Sequence, residues 1–379
     1  MKVALVRQRY TDFGGAERYT SALAGHLIDS GHEVHIFAHE WKGKQDRMKS
    51  GGIVFHRVPM LKGLSVLEVL SFAVNSRRML KRERFDIIQS FERTLYQDIY
   101  RAGDGCHREW LIQRRKIDPW YKTMTNAINP LHLGLLRIER EIFREGSYRA
   151  IIANSERGKF EIMTHYGVPP EKIRVIYTPV DRTRFSMDHS PERGKRVRDS
   201  LGIPDESRML LFVGSGFKRK GLTGVIESLP MVGENTHLIV VGKDRIAPYR
   251  SLARKAGKEQ YVHFTGPLSS VEDYYSAADL FVFPTIYEPF SNVCLEAIAS
   301  GLPLVTSQIN GASEVVKEGK NGYVIENPVD PFEIAGMIEK GLMLDRDEVK
   351  KVNGEILKNF TWKKHIEKVC TIYDEIAGK

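Results

Sequence analysis

The chain has no long hydrophobic run, and this excludes two classes of protein. At its start, the apolar residues from Val3 to Val6 give way to Arg7, which makes the run too short for the core of a signal peptide. No later stretch reaches the roughly 18 to 20 apolar residues that a membrane-spanning helix needs. We therefore expect neither secretion by that route nor a membrane-spanning segment.

Cysteine is scarce as well. Cys106, Cys294 and Cys370 are far apart, form no CxxC or Cys/His metal-binding spacing, and are too few to pair off completely. A reducing cytoplasm is the simplest location for such a chain. The sequence also shows no carboxylates at metal-binding spacing, so we expect neither a metal nor another cofactor.

The chain does have the length and the apolar content of two folded domains. Of its 379 residues, 42% are hydrophobic and 28% are charged, with no low-complexity tract that indicates disorder. Two domains imply a cleft, where small-molecule sites usually lie. The net charge of +9 favours anionic partners such as nucleic acid, anionic lipid or phosphorylated substrates, and it does not choose among them.

The hydrophobic pattern alternates between strands and helices in both halves of the chain. It predicts strands at 2–6, 33–38, 53–58, 86–90 and 150–154, and then at 209–213, 237–241, 262–265, 280–284 and 303–306. Such alternation is typical of parallel sheets with crossover helices. We predict an α/β protein with two Rossmann-like domains that face each other across a cleft, residues 1–180 and 181–360. The helix predicted at 361–379 is expected to pack back on the first domain.

The segment 284–301 is the most informative part of the sequence. A strand end runs into a loop, Ser291 is placed to cap the following helix, and Gly301 ends that helix. Because the loop lies at the carboxyl end of a parallel sheet, the first amides of the helix form a surface for an anion or for hydroxyl groups. Glu288 lies at the mouth of this surface, and Glu296 lies one to two turns into the helix. The alternative is that both are ordinary surface carboxylates.

Two further loops are rich in glycine. The loop at 213–221, VGSGFKRKG, brings Lys218, Arg219 and Lys220 to the same sheet edge, where cations neutralise a diphosphate without a metal. An ordinary solvated basic loop has the same composition. Gly14 and Gly15 follow the first strand, where the backbone approaches a phosphate closely, although they lack the GxGxxG spacing.

These segments in combination resemble one enzyme family. The Gly-Gly loop, the basic loop at 213–221, the pair Glu288 and Glu296, and FTW at 360–362 are similar to the glycosyltransferases of family 4, which have the GT-B fold. The resemblance covers almost the whole chain. The segments FGG at 13–15, HEWKG at 39–43 and GDGCHREW at 103–110 are similar to the members that add the first glucose to heptose in the inner core of lipopolysaccharide.

The resemblance implies a nucleotide-sugar site in the C-terminal half and an acceptor site in the N-terminal half. Arg219 and Lys220 would hold the donor diphosphate, Glu296 the ribose hydroxyls, and Glu288 the transferred sugar. Further donor contacts are implied for Gly14, Gly15, Leu268, Pro289, Phe290, Ser291, Asn292 and Val293. Many family members have arginine where this chain has Ser215, so the charge of the diphosphate would rest on Arg219 and Lys220 alone.

The implied chemistry is hexose transfer with retention of configuration and without a metal, with UDP-glucose as the first choice of donor. GDP-mannose and UDP-N-acetylglucosamine remain alternatives, because the family binds the base largely through backbone groups. Glu288 is then a catalytic candidate, together with Asp104 and His107, which fall in a loop that the family places across the cleft from the donor. For His107 an ordinary loop histidine is an equal alternative.

Basic and aromatic residues are interleaved between 107 and 141. The cations are Arg108, Arg114, Arg115, Lys116, Lys122, Arg137 and Arg140, and they alternate with Trp110, Trp120, Tyr121 and several leucines. This composition suits a segment that lies on anionic lipid, which predicts a cytoplasmic protein bound peripherally to the inner face of the cytoplasmic membrane. The alternative is an internal helix pair with solvated charges.

Three other classes of function compete with a transferase. A sugar-nucleotide epimerase of the GT-B fold would bind the same donor without the glycolipid or oligosaccharide acceptor. No nucleic-acid-binding motif accompanies the positive charge, so we do not expect nucleic acid as a partner. A glycosidase needs two carboxylates around one sugar bond, whereas Glu288 and Glu296 are better placed for the two ends of one nucleotide sugar.

Overall fold

The computed structural model describes residues 1–11, 15–42, 52–188 and 191–378. The chain forms two compact units, Met1–Thr178 together with Lys363–Lys379, and Pro179–Trp362. The boundaries predicted from the sequence differ from these by two residues at each junction. Gly14, one of the predicted donor contacts, lies outside the described residues.

The first unit is built on a parallel sheet of seven strands, whose inner strands are almost fully buried, whereas the edge strands are partly exposed. In the order β5-β3-β1-β6-β7-β8-β9, each strand pairs in parallel with the next, while β2 and β4 form a separate short parallel pair. The strands are β1 (Lys2–Val6), β2 (Arg9–Thr11), β3 (Glu33–Ala38), β4 (Glu40–Lys42), β5 (Ile53–Arg57), β6 (Ile87–Ser90), β7 (Ile99–Ala102), β8 (Ala150–Ala153) and β9 (Ile173–Val175).

Along the sequence, the helices of the first unit alternate with these strands. They are α1 (Gly15–Asp29), α2 (Ser65–Leu80), α3 (His107–Arg114), α4 (Trp120–Ala127), α5 (Pro130–Ile142) and α6 (Glu156–Tyr166), with a 3₁₀ turn at Pro170–Lys172. Helix α6 shows how the local sequence sets both ends. The Ser155 hydroxyl accepts a hydrogen bond from the Gly158 amide at 2.9 Å, and Gly167 ends the helix with a left-handed φ of 66°.

The second unit repeats this plan with a parallel sheet of six strands. Its order is β12-β11-β10-β13-β14-β15, again with parallel pairing throughout. The strands are β10 (Arg208–Val213), β11 (Thr236–Val241), β12 (Val262–Gly266), β13 (Leu280–Phe283), β14 (Leu304–Ser307) and β15 (Gly322–Ile325). The helices are α7 (Pro191–Leu201), α8 (Leu222–Ser228), α9 (Ala247–Lys255), α10 (Glu272–Ala277), α11 (Asn292–Ala299), α12 (Pro331–Leu342) and α13 (Arg346–Leu357), with 3₁₀ turns at Leu229–Met231, Glu259–Tyr261 and Gly311–Val315.

The last helix, α14 (Trp362–Ala377), belongs almost entirely to the first unit. The His365 ring lies 2.7 Å from the Tyr19 hydroxyl, measured from Nε2, and the buried Tyr373 hydroxyl donates to Gln89 on β6. Its outer face carries an ion pair of 3.2 Å between Glu375 and Arg174. Across the described residues, no helix combines the length and apolar character needed to cross a membrane.

In each sheet, the order in which consecutive strands are added reverses direction at one point. In the first sheet this point lies between β1 and β6, and in the second it lies between β10 and β13. Open parallel sheets bind ligands in the crevice outside the carboxyl ends of the two strands at such a point. The topology therefore directs attention to the loops that follow β10 and β13.

The predicted α/β class with two Rossmann-like parallel sheets is confirmed, although the sequence analysis missed several elements. The strands β7, β9 and β15 and the β2–β4 pair were not predicted. The basic segment at 107–141 folds as three helices, α3 to α5, rather than as a helix pair.

Candidate active site

The two loops at the switch point of the second sheet lie against each other. The backbone carbonyl of Arg219 accepts from the Ile286 amide at 2.9 Å and from the Thr285 hydroxyl at 3.0 Å. Gly221 makes this approach possible, because a Cβ there would lie 1.9 Å from the carbonyl oxygen of Pro284. Its φ of 83° is also left-handed.

This packing brings three predicted site residues together. Nη1 of Arg219 lies 2.6 Å from Oε2 of Glu288, and the Lys220 ammonium donates to the same oxygen. Arg219 also donates to the carbonyl of Tyr287 at 2.9 Å. Two cations therefore share one carboxylate, which leaves one unit of positive charge for a ligand anion.

The three charged groups are shielded from water to different degrees. The exposed fractions of the side chains are 12% for Lys220, 16% for Glu288 and 34% for Arg219. Burial alone would raise the pKa of the Glu288 carboxyl, but the charges of Lys220 and Arg219 outweigh it and hold this pKa below its usual range. Burial lowers the pKa of the Lys220 ammonium, and Glu288 offsets this only in part. Glu288 is therefore an anion at neutral pH.

The loop that carries Glu288 is also held from its other side. Its backbone bridges to Asn310, and its carbonyl accepts from the Gly311 amide at 3.0 Å. The buried Asn310 side chain donates to the Thr306 hydroxyl at 2.9 Å. Thr285 and Asn310 were not predicted from the sequence. The available signal was a polar residue shortly after a predicted strand, β13 for Thr285 and β14 for Asn310.

Helix α11 presents its first turn at the same loop. Ser291 is its N-cap residue, but the predicted side-chain cap is wrong, because the Ser291 hydroxyl bonds to the Cys294 thiol instead. The Ser291 side chain therefore accepts no hydrogen bond from the first amides of the helix. Burial raises the pKa of Cys294 to about 12, so this thiol is not a nucleophile at neutral pH.

Glu296 lies one turn further along α11 and is fixed by a residue that the sequence analysis missed. The hydroxyl of the buried Tyr275 on α10 donates to Oε2 of Glu296 at 2.9 Å and lies 3.3 Å from the carbonyl of Val293. This hydrogen bond fixes the orientation of the Glu296 carboxylate.

The remaining predicted donor residues lie around these loops. Pro289 and Phe290 are buried, Asn292 and Val293 are half-buried, and Leu268, in the loop after β12, is exposed. The Ser215 hydroxyl accepts from the Lys243 amide at 3.1 Å. Gly15 begins helix α1 in the first unit.

Two sequence families match this chain on either side of the boundary between its units. The model described as Glycosyltransferase Family 4 matches residues 13–184, and the model described as Glycosyl transferases group 1 matches residues 195–354. Together they match most of the chain. The chain is therefore a glycosyltransferase, with a family 4 match in its first half and a group 1 match in its second.

Individual relatives agree with this assignment. The lipopolysaccharide glucosyltransferase WaaG of Escherichia coli is 27% identical over 346 residues, which is 90% of each chain. A crystal structure of WaaG covers 100% of both chains with a TM-score of 0.81 and 25% identity, so the fold is GT-B. The structure of Anabaena HepE in complex with UDP-glucose covers 99% of this chain and 100% of its own at a TM-score of 0.74 and 18% identity.

A further relative differs in its acceptor. The D-inositol 3-phosphate glycosyltransferase of Corynebacterium kroppenstedtii is 27% identical over 248 residues, which is 60% of this chain and 54% of that protein. The family therefore leaves open which acceptor this chain uses.

The two catalytic candidates of the first unit lie in different surroundings. Asp104 is an exposed side chain 3.8 Å from Arg93. His107 is not a loop residue as predicted but the first residue of α3, where it is buried and its Nε2 lies 3.0 Å from Nδ1 of His132. Burial, with the charge of Arg93, lowers the pKa of His107 to about 3, so this histidine is neutral at physiological pH.

The switch point of the first sheet contains a carboxyl group that the sequence analysis missed. Glu92 follows β6 and accepts from the Gln8 amide at 3.3 Å. Burial raises its pKa to about 7, with a further contribution from the charge of Asp104 and opposition from Arg7. A carboxyl group that titrates near neutral pH at such a crevice is a candidate for proton transfer.

The basic aromatic segment presents an apolar surface. Helix α4 has no buried residue, and its Trp120 and Met124 are 76% and 64% exposed, followed by Ile128 at 75%. Helix α5 instead buries one face, including Ile138 and Ile142, and Leu133 is exposed. The segment thus combines exposed apolar side chains with the cations of its sequence.

Proposed function

We propose that this chain is a retaining, metal-independent hexosyltransferase. Its donor would be a UDP-sugar, with UDP-glucose as the first choice, and its acceptor a heptose or another sugar of the lipopolysaccharide core or a related glycolipid. The observation that carries the proposal is the contact of Arg219 and Lys220 with Glu288 at the switch point of the second sheet. The similarity to WaaG over most of both chains supports the choice of acceptor.

The proposed chemistry separates the roles of the charged residues. The bond between the anomeric carbon and the diphosphate breaks, and the acceptor hydroxyl forms the new bond on the same face of the sugar. Arg219 and Lys220 stabilise the negative charge that develops on the leaving diphosphate. They supply the positive charge that a divalent metal supplies in other transferases, which is why we propose transfer without a metal.

The carboxylates would orient the donor at its two ends. Glu288 and the amides of 289–293 would bind the sugar hydroxyls, and Glu296 would bind the ribose. Tyr275 supports the second role, because its hydrogen bond to Oε2 fixes the orientation of the Glu296 carboxylate. In the acceptor half, Glu92 is the group whose pKa suits acceptance of the hydroxyl proton.

We also propose that the protein works on the inner face of the cytoplasmic membrane. Exposed Trp120, Met124 and Ile128 beside several cations support this, because such a surface inserts into the headgroup region of anionic lipid. Vesicles with anionic lipid should sediment the protein at low salt. A Trp120→Ala, Met124→Ala variant should stay in solution, and equal sedimentation of both proteins would contradict the membrane role.

The donor site is tested by thermal melting with UDP-, GDP- and ADP-sugars in a metal chelator. A ligand that binds only the folded state raises the melting temperature by mass action. We expect a rise with UDP-glucose and with UDP, its loss in Lys220→Ala, and its retention in Lys218→Ala, which removes an exposed cation of the same loop. A rise with GDP-mannose alone would change the donor, and no rise with any nucleotide would remove the main support for the proposal.

A further inference from the structure

Two histidines face each other at the edge of the first sheet, in the unit that does not carry the proposed donor site. Nδ1 of His35 on β3 lies 2.8 Å from Nε2 of His56 on the edge strand β5, and the rings stack at 5.0 Å. His56 pairs with Phe37 in the parallel ladder, so His35 precedes its pairing position by two residues. Because side chains alternate along a strand, this offset places both rings on one face of the sheet.

Two carboxylates complete the surroundings of this pair. One nitrogen each of His35 and His56 and one carboxylate oxygen of Glu83 lie within 4.8 Å of one another. On the other side, Oε1 of Glu33 lies 2.7 Å from Nε2 of His35. Glu33 therefore fixes the ring so that Nδ1 faces His56 and Glu83.

This arrangement matches a known set of metal ligands. Two imidazoles and one carboxylate bind zinc, with ligand atoms about 2.0–2.2 Å from the ion. A second carboxylate that accepts the far N–H of a ligating histidine orients the ring and strengthens the ligand. Around such an ion the ligand atoms lie roughly 3.3 Å apart, so the three groups reach this geometry by small side-chain movements.

We infer that His35, His56 and Glu83 form a binding site for a divalent transition-metal ion of the zinc class, oriented by Glu33. The ion joins β3, the edge strand β5 and the segment after α2. The site stabilises the first unit and takes no part in the proposed sugar transfer. The sequence predicted no metal, and its spacing does not reveal these three residues because consecutive ones are more than twenty positions apart.

Lys2 provides a competing cation. Its ammonium donates to Glu83 and lies 4.0 Å from Glu33, and 29% of its side chain is exposed. The carboxylates thus already attract one positive charge to this position. Because a metal must displace this ammonium from Glu83, removing the ammonium should tighten metal binding.

The second sheet contains a matched control. Nδ1 of His237 lies 3.0 Å from Nε2 of His263, the rings stack at 5.3 Å, and the two strands have the same places in the sheet order. His263 pairs with Ile239, which gives the same offset of two residues. Burial, His263 and two cations lower the pKa of His237 to about 4, and within the described ranges no third ligand group completes this pair.

The test is a titration of the full chain, without a histidine tag, with Zn²⁺ in a calorimeter. Co²⁺ serves as a spectroscopic probe of the same site. We expect one ion per chain and the visible absorption of tetrahedral Co²⁺. Affinity should fall at least tenfold in His56→Gln and in Glu83→Gln, and about 10- to 100-fold in Glu33→Gln. It should rise in Lys2→Gln and remain unchanged in His263→Gln.

Three results would overturn the inference. These are no binding at micromolar Zn²⁺, binding that survives Glu83→Gln, or an equal loss in His263→Gln. Glu83 is partly exposed, so its variant is expected to fold, and melting curves without metal verify this. UDP-glucose binding serves as an independent readout, because it should be the same in Glu83→Gln and in the unchanged protein.

Discussion

The Glu288→Gln variant tests the balance of charge at the candidate site. It keeps the shape of the side chain and removes the carboxylate that Arg219 and Lys220 share. Lys220 then becomes a mostly buried ammonium without its counterion, and breaking a buried pair in this way costs about 3 to 5 kcal/mol. The Arg219 contact adds little because solvent screens this partly exposed guanidinium. We expect the free energy of unfolding to fall by about 3 kcal/mol.

The assay is a urea titration of the full chain, in which circular dichroism reports the fraction unfolded. Lys220→Met is the partner variant, and the double variant has no unpaired ammonium. The double variant should therefore lose less stability than the sum of the two single variants. Lys218→Ala is the control for a change of charge in the same loop. Because the pKa of Glu288 is lowered, its contribution to stability is present above the pKa of the unfolded chain and is lost as pH falls through the folded value.

The Glu288→Gln variant should also change UDP binding and the rate of transfer. Without the carboxylate, the two cations should bind UDP more tightly, whereas the transferred sugar loses a hydrogen-bond acceptor. We expect the affinity for UDP to rise and the rate of transfer to fall by roughly 100-fold. The reasoning is refuted if stability changes by less than about 0.5 kcal/mol, the usual range of surface substitutions, or if UDP binds more weakly.

Three further variants test other parts of the structure. Gly221→Ala should destabilise the second unit by several kcal/mol, seen as a lower melting temperature, because its Cβ meets the Pro284 carbonyl and its φ is left-handed. Tyr275→Phe removes the hydrogen bond that orients the Glu296 carboxylate, and we expect a higher KM for the donor with little change in kcat. Folding raises the pKa of Glu92, so the stability that its protonated form contributes is lost as pH rises towards 7. In urea titrations, the free energy of unfolding of the unchanged protein should therefore fall by roughly 2 kcal/mol relative to that of Glu92→Gln between pH 4.5 and 7.

Local sequence spacing was enough to predict the central features of the candidate site. A strand followed by a basic loop, and a second strand followed by a glutamate loop, both end at the same edge of any parallel sheet. That rule placed Arg219, Lys220 and Glu288 at one sheet edge, whereas their direct contact was not predicted. Their roles in donor binding remain predictions.

The features that the sequence did not reveal depend on contacts between distant residues. The strands β7 (IYRA) and β9 (IRV) are short, and an arginine interrupts the apolar pattern of each. Tyr275 meets Glu296 only after α10 and α11 pack together. Ser291 is a residue type that commonly caps helices, but its hydroxyl bonds to the thiol of Cys294. The position of that thiol depends on tertiary packing.

The most direct test of the account is the acceptor dependence and stereochemistry of the reaction. The protein would be incubated with ¹³C-labelled UDP-glucose in a metal chelator, with and without a heptose-terminated lipopolysaccharide core, and followed by NMR. We expect release of UDP only with the acceptor, and a product with the α configuration of the donor. Inverted product, a strict need for metal, or conversion of the donor sugar without acceptor would contradict it, and the last result would indicate an epimerase.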